Sequence, residues 1–166
     1  MPKLKIRTYG EEVLRKKAKV IKSYDEKLHE LVDSMFKVMY ESSGVGLAAP
    51  QVGVSRKLIV VDTTEPGEKF ALANPKIIWK NDQYETMKEG CLSIPGVEGD
   101  VPRATKIKIK GNDPRTGKEI VIEAEDFLAR VFQHEIDHLE GVLFVDRLRD
   151  YDKATIRRAL EEMAAA

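Results

Sequence analysis

The sequence His-Glu-Ile-Asp-His at residues 134–138 constrains this chain more than any other stretch of it. Histidines four residues apart lie one turn apart on the same face of a helix, so the segment predicts a helix that presents both imidazoles together. His134 and His138 can then occupy neighbouring positions around a metal ion, and Glu135 can hold and deprotonate a water bound there. The chain has only 3 histidines, so this spacing indicates a metal site. We assign no role to His29, which falls on the polar side of an earlier helix.

Two histidines do not complete a metal site, so a third ligand must lie elsewhere in the chain. The metzincin pattern would place a third histidine where Phe144 stands, which excludes that family. A downstream glutamate, as in thermolysin-like enzymes, would have to be Glu161 or Glu162, in a short helix that we predict to be a surface element. Cys91 is the only cysteine, and a thiolate is a strong metal ligand. A lone cysteine is usually a small buried hydrophobe, but here the loop-like, glycine-containing segment 89–96 surrounds it, so we favour Cys91 over the two glutamates.

Residues 44–53, Gly-Val-Gly-Leu-Ala-Ala-Pro-Gln-Val-Gly, form a second unusual stretch. It follows a helix instead of a strand and has neither the third glycine of a dinucleotide site nor the lysine of a P-loop, so phosphate binding is a weak interpretation. The segment is either a tight connection of small residues or an exposed backbone edge that pairs with an extended peptide. In the second case Gln51 offers an amide donor near the metal.

Length, charge and cysteine content indicate the number of domains and the cellular compartment. A length of 166 residues predicts one domain, residues 1–166, with a core that needs no disulfides. The 28 basic and 28 acidic residues cancel, so no bulk attraction to nucleic acid or to a membrane follows. The start of the chain is charged, without the apolar run of a signal peptide, and no stretch is apolar for long enough to span a bilayer. A single cysteine favours a reducing, cytoplasmic setting.

Hydrophobic periodicity predicts an α+β fold, with mixed and antiparallel strands packed around a central metal-binding helix and with a C-terminal helix. Ser23 and Glu26 suggest a capping box for the first helix, while Asp126 and Gly141 suggest the N-cap and the C-terminal glycine of the second. The predicted helices cover about residues 25–41, 126–140 and 152–163. The predicted strands cover residues 57–62, 70–79 (with Pro75 interrupting it), 106–110 and 120–122, and the last two form a hairpin across a turn at 113–117.

Three segments together resemble the peptide deformylase family, in its compact bacterial form: residues 44–51, 89–93 and 133–141 are similar to its three motifs, in the same order. The resemblance implies that Cys91, His134 and His138 hold the metal and that Glu135 is the general acid and base. It implies that Gln51 and the backbone N–H of Leu92 stabilise the oxyanion, and that Val45, Gly46 and Gly90 lie along the substrate backbone. Arg103 resembles the family arginine that braces Glu89.

The resemblance also implies an activity. A member of this family removes the formyl group from the N-terminal formyl-methionine of new bacterial proteins and releases formate. It implies one divalent metal ion, Fe(II) in the cell, with nickel, cobalt or zinc as substitutes, and a cytoplasmic enzyme that meets nascent chains near the ribosomal exit tunnel. Some members have a substrate-binding arginine shortly after the cysteine motif, and residues 97–100 supply none. A small metalloprotease and a non-catalytic metal-binding module are the alternatives.

Overall fold

The computed structural model describes residues 3–166, so the first two residues of the predicted charged start lie outside it. The three helices are α1 (Glu26–Glu41), α2 (Asp126–Leu139) and α3 (Asp150–Ala165). The seven strands are β1 (Gly46–Ala48), β2 (Leu58–Asp62), β3 (Lys69–Lys80), β4 (Tyr84–Cys91), β5 (Ile94–Ala104), β6 (Lys106–Asn112) and β7 (Glu119–Glu125). The α+β prediction is confirmed.

The strands form two sheets. Five of them pair in the order β1-β2-β3-β6-β7, and β4 pairs with β5 in a separate two-stranded hairpin. Each of these pairs is antiparallel, and the only parallel pairing in residues 3–166 is an isolated bridge between Lys19 and Arg56. The predicted β6–β7 hairpin is confirmed, and the turn between its strands uses Gly117 in the left-handed region, at a φ of 79°.

The five-stranded sheet is covered by a different helix on each face. Strand β2 shows this most clearly, because Ile59 and Val61 belong to the cluster that contains α2, whereas Leu58 and Val60 belong to the cluster that contains α1. Alternate side chains of a strand point to opposite faces, so a strand buried on both sides is apolar throughout. Phe132 of α2 is fully buried against the sheet. The central position predicted for the metal-binding helix is therefore confirmed.

The three helix ends that the sequence pointed to differ in outcome. The predicted capping box of α1 is wrong, because the side chain of Asp25 accepts the N–H of Leu28 at 3.0 Å and Ser23 only bonds to that aspartate. At α2, Asp126 is the first helical residue instead of the cap. Gly141 follows the end of α2 with a φ of 75°, as predicted for a C-terminal glycine.

The segment around the cysteine is not a loop, contrary to the prediction for residues 89–96. It contains the end of β4 and the beginning of β5, with Cys91 paired to Ile94 across a two-residue turn. The predicted interruption of β3 at Pro75 is a bulge, since the pairing with β6 shifts between Ala73 and Lys76. None of the helices in residues 3–166 has the length and the apolar character that crossing a membrane requires.

Candidate metal centre

The three predicted ligands converge on one point between α2 and the β4–β5 hairpin. Their ligand atoms, the thiol sulfur of Cys91 and one ring nitrogen each of His134 and His138, all lie within 4.8 Å of one another. Cys91 is the last residue of β4, and the two histidines are one turn apart on α2. The alternative ligands Glu161 and Glu162 are exposed on α3 and do not belong to this cluster.

The spacing of these atoms suits a first-row metal ion. Ligand bonds of about 2.0–2.3 Å in a tetrahedral arrangement place neighbouring nitrogen and sulfur donors about 3.5 Å apart. Cys91 Sγ and His138 Nε2 are 3.4 Å apart. Three protein ligands leave a fourth position for water or substrate, which is the arrangement of catalytic sites, since structural sites are closed by four protein ligands.

Glu89 fixes the orientation of His134. Its Oε1 atom lies 2.9 Å from His134 Nδ1, and Arg103 donates to both carboxylate oxygens, Nε to Oε2 at 2.9 Å and Nη2 to Oε1 at 3.0 Å. Burial alone would raise the pKa of Glu89, but the hydrogen bonds from His134 and Arg103 outweigh it and hold the pKa at about 2. An ionised carboxylate can only accept, so Nδ1 carries the proton and Nε2 is left with the lone pair that a metal needs. The brace that the resemblance implied between Arg103 and Glu89 is confirmed.

The surroundings of the two histidines shift their pKa values in opposite directions. Burial lowers the pKa of His134. The charge of Glu135 and the hydrogen bonds with Cys91 and Glu89 raise this pKa by more than burial lowers it, to about 10. A metal ion has to displace the proton from Nε2 before His134 can act as a ligand, so metal binding here depends on pH. Burial, followed by the charge of His134, holds the pKa of His138 well below its ordinary value, so this imidazole is neutral and can act as a ligand. The donor set therefore fits a metal ion.

Glu135 is enclosed beside the ligands. It is only 5% exposed, and its Oε1 atom has no hydrogen-bond partner among the described residues. Burial is the main reason that its pKa rises to about 7; the nearby negative charges of Glu89 and Asp137 add to the rise, and the positive charges of His134 and Arg103 oppose it. A carboxyl group with a pKa near neutrality can both accept and return a proton at physiological pH.

Gln51 points its amide group at the same place. Its Oε1 atom accepts the N–H of Ala48 at 2.9 Å, which fixes the amide so that Nε2 donates to Ser93 Oγ at 3.2 Å and approaches Cys91 Sγ at 3.4 Å. Gln51 is 1% exposed, so the amide is held rigidly. Leu92, which follows the cysteine in the turn between β4 and β5, lines the same cleft.

A cleft of about 390 Å³ is lined by two of the three ligands, Cys91 and His134, and by Glu135 beside them. Val45, Gly46 and Gly90 line the same cleft, so all three residues predicted to lie along the substrate are brought together. Strand β1 is an edge of the five-stranded sheet, which leaves its outer backbone groups available for pairing. Met87 and Phe127 stand at the cleft, 40% and 48% exposed, and supply apolar surface.

Sequence reasoning missed several residues at this site, and Arg130 is the most deeply involved. Arg130 is 5% exposed and its Nη1 atom donates to Glu89 Oε2 at 2.5 Å. The available signal was its position four residues before His134, on the helix face that carries both histidines. The prediction that His29 is a solvated surface residue holds only in part, because its side chain is 23% exposed and its Nε2 atom is buried; it lies outside the site.

Residues 3–154 match the family model described as "Polypeptide deformylase". The chain belongs to the peptide deformylase family. A curated relative from Halothermothrix orenii, named "Peptide deformylase", is 53% identical over 148 residues, which are 89% of this chain and 95% of that protein. One from Brachyspira hyodysenteriae with the same name is 46% identical over 161 residues, 93% of this chain and 86% of the relative. The crystal structure of a peptide deformylase from Synechococcus elongatus in complex with actinonin superimposes with a TM-score of 0.89 at 40% identity, covering 98% of this chain and 87% of that one.

Peptide deformylases are metal-dependent hydrolases that remove the formyl group from N-formyl-methionine at the start of nascent proteins, and this is the function of the chain. The structure adds where the metal can bind in this member, namely the group formed by Cys91, His134 and His138. Formylated nascent peptides are accordingly the partners on which the enzyme acts.

We predict that Gly46→Ala disables this peptide deformylase without removing its metal. A Cβ atom at Gly46 would lie 2.7 Å from Glu135 Oε2 and 2.9 Å from its Cγ atom, so the carboxylate has to move. A displacement of about 1 Å at a catalytic group costs on the order of a hundredfold in rate. The measurement is kcat on a formyl-methionyl dipeptide together with the metal content. Wild-type turnover in a metal-loaded variant would show that the position of Glu135 is not critical.

Proposed function

We propose that this chain hydrolyses the formyl amide with Glu135 as its general base and general acid, and that Cys91, His134 and His138 hold the metal. A divalent ion bound there supplies a Lewis acid that acidifies water and polarises the formyl oxygen. Glu135 accepts the proton of the attacking water, whose oxygen forms a bond to the formyl carbon. The same carboxyl group then protonates the amine nitrogen as the C–N bond breaks, which releases formate and a free N-terminus.

The negative charge that develops on the formyl oxygen needs donors fixed in advance. Gln51 Nε2 is held near Cys91 Sγ by the bond that its Oε1 atom accepts from Ala48, and the backbone N–H of Leu92 follows the cysteine directly. Donors that need no rearrangement as charge develops lower the barrier more than mobile ones. We assign both donors to the oxyanion.

The cleft supports recognition of the first residue of the substrate. Val45, Gly46 and Gly90 line it, and backbone groups of the β1 edge can pair with an extended chain. The apolar surface of Met87 and Phe127 suits the side chain of methionine. We treat residues 1–166 as one catalytic domain that contains the whole of this site.

The observation that carries the residue assignment is the convergence of one cysteine sulfur and two imidazoles next to a buried carboxylate oxygen that has no hydrogen-bond partner within residues 3–166. The test is formate release from a formyl-methionyl dipeptide, with the bound metal measured in the same sample. Cleavage inside a longer blocked peptide, without formate, would instead favour the small metalloprotease. Stoichiometric metal with neither formate nor peptide fragments would indicate a non-catalytic metal-binding module.

We further propose Fe(II) as the resident metal and the bacterial cytoplasm, near the ribosomal exit tunnel, as the place of action. One thiolate and two imidazoles accept several first-row ions, so occupancy in a cell depends on supply as well as on affinity. The lone thiol is consistent with a reducing compartment.

We predict that the activity of the iron form is lost in air, whereas nickel and cobalt forms persist. Fe(II) beside a thiolate and an open position reacts with oxygen, and the thiolate of Cys91 can itself be oxidised. The measurement is anaerobic reconstitution of one metal-free batch with Fe(II), Ni(II), Co(II) or Zn(II), assayed before and after exposure to air. A zinc form as fast as the iron form, together with iron activity that survives air, would contradict the ferrous assignment and leave the hydrolytic mechanism intact.

A further inference from the structure

Arg130 joins the metal-binding helix to both strands of the hairpin that carries the cysteine. Its Nη1 atom donates to Glu89 Oε2 at 2.5 Å and to the carbonyl oxygen of Val101 at 2.9 Å, and its Nη2 atom donates to the carbonyl oxygen of Glu85 at 2.6 Å. Glu85 and Glu89 lie on β4, Val101 lies on β5, and Arg130 lies on α2. One guanidinium group therefore connects three elements.

Arg130 connects the two elements that supply the metal ligands. Cys91 belongs to the β4–β5 hairpin, whereas His134 and His138 belong to α2. The distance between the sulfur and the two imidazoles is therefore set by how the hairpin lies on the helix. Arg130 is four residues before His134 on the same helix face, so it anchors the helix one turn from the first ligand.

Charge is only part of the reason that a second arginine is buried here, because Arg103 is shared between Glu89 and Asp137. Glu89 already accepts two hydrogen bonds from Arg103 and one from His134. Burying a further guanidinium carries a desolvation penalty that an apolar side chain would avoid. The carbonyl groups of Glu85 and Val101 supply the rest of the reason, since a planar group with several fixed donors can reach both of them and the carboxylate together.

We propose that Arg130 is a positioning residue of the metal centre. It sets the spacing between α2 and the β4–β5 hairpin, and through Glu89 it holds the ring of His134, so that the thiolate and the imidazoles stay at metal-binding distance. A group that bonds directly to a ligand, as Glu89 does to His134, typically contributes 10- to 100-fold in metal affinity, and Arg130 holds that group in place. The inference rests on the metal ligation proposed above.

The experiment compares Arg130→Lys and Arg130→Met with Arg115→Lys. Lysine keeps the charge but cannot bond to the carboxylate and both carbonyls at once. Arg115 is a matched control, because it is 44% exposed and pairs with Asp33 of α1. Each protein is loaded with Co(II), and release to excess chelator is followed by the loss of the thiolate–cobalt absorption. kcat and KM for a formyl-methionyl dipeptide and the melting temperature of the metal-free protein are measured alongside.

We expect both Arg130 variants to release cobalt about 10- to 100-fold faster than wild type, with a lower kcat and an unchanged KM. Arg115→Lys should behave as wild type. Release at the wild-type rate from Arg130→Lys would overturn the inference, as would a raised KM with normal release, which would make Arg130 a substrate contact. If Arg130→Met does not fold, Arg130→Lys decides. A wild-type protein that cannot hold cobalt at all would refute the ligation itself, and thus the proposed function, before Arg130 is considered.

Discussion

We expect the Glu135→Gln variant to keep its metal ion and to lose turnover by on the order of a hundredfold or more. The amide has the shape of the carboxylate, so the fold and the three ligands are undisturbed, but it cannot accept the proton of the attacking water. The removed group is buried, and its Oε1 atom bonds to no described residue, so the substitution breaks no internal hydrogen bond at that atom. The measurement is kcat on a formyl-methionyl dipeptide at equal metal content.

Glu140→Gln is the matched control for that experiment. Glu140 caps the C-terminal end of the same helix and makes an exposed ion pair with Lys57 at 3.5 Å. Exposed ion pairs contribute little to stability, so this variant should have wild-type activity and a similar melting temperature. If Glu135→Gln were within a few-fold of wild type while binding metal normally, Glu135 would be a bystander, and another group would have to move the proton.

Cys91→Ala should lose stoichiometric metal and, with it, measurable activity. The two remaining imidazoles cannot close the site, and loss of a direct ligand should weaken binding by more than the 10- to 100-fold typical of the groups behind the ligands. The domain should still fold, because Cys91 is only partly buried and packs at the edge of its hydrophobic cluster. Metal content after gel filtration and the far-ultraviolet circular dichroism spectrum test both halves of this prediction.

The alternative ligands give the controls for the cysteine variant. Glu161→Gln and Glu162→Gln should keep both metal and activity, because these residues are exposed on α3 and outside the ligand cluster. Stoichiometric metal in Cys91→Ala, together with its loss from either glutamine variant, would reverse the assignment of the third ligand.

The helices were predictable because their apolar positions repeat at a helical period that no strand shares. Leu28, Val32, Met35 and Met39 are all buried on α1, as their spacing indicates. The cap was not predictable in the same way, since Ser23 and Asp25 are both residue types that cap helices. Only the backbone conformation decides between them, and that conformation depends on how the preceding chain enters the helix.

The β4–β5 hairpin escaped prediction because its sequence lacks the alternation on which strand prediction depends. Nearly all of β4 is exposed, with Glu89 as its one buried residue, and β5 contains Pro95 together with two glycines. Backbone hydrogen bonds and contacts with α2 hold these two strands together. Neither produces a recognisable pattern in the sequence of the strands themselves. Residue chemistry and the family resemblance together predicted the three ligands, but not the hairpin that brings Cys91 to α2.

The burial of Arg130 could not be predicted either, for the same reason. In the sequence it is a charged residue within an apolar stretch of a helix, and such residues usually extend to the surface. Its burial follows from the carbonyl groups of Glu85 and Val101 and from the carboxylate of Glu89, which come together only after the hairpin has docked. Partners that are distant in sequence leave no pattern in the neighbourhood of the residue that they satisfy.

Strand β1 is only 3 residues long, and this short length limits how long a peptide that pairs with it stays bound. Each backbone hydrogen bond contributes about 1 kcal/mol to the binding of an extended chain. An edge as short as this one therefore binds a product weakly. A catalyst that serves many different nascent chains benefits from this, because each processed chain has to leave before the next one arrives. The same shortness protects the enzyme from self-association, since a long unpaired edge would recruit a second copy as readily as a substrate.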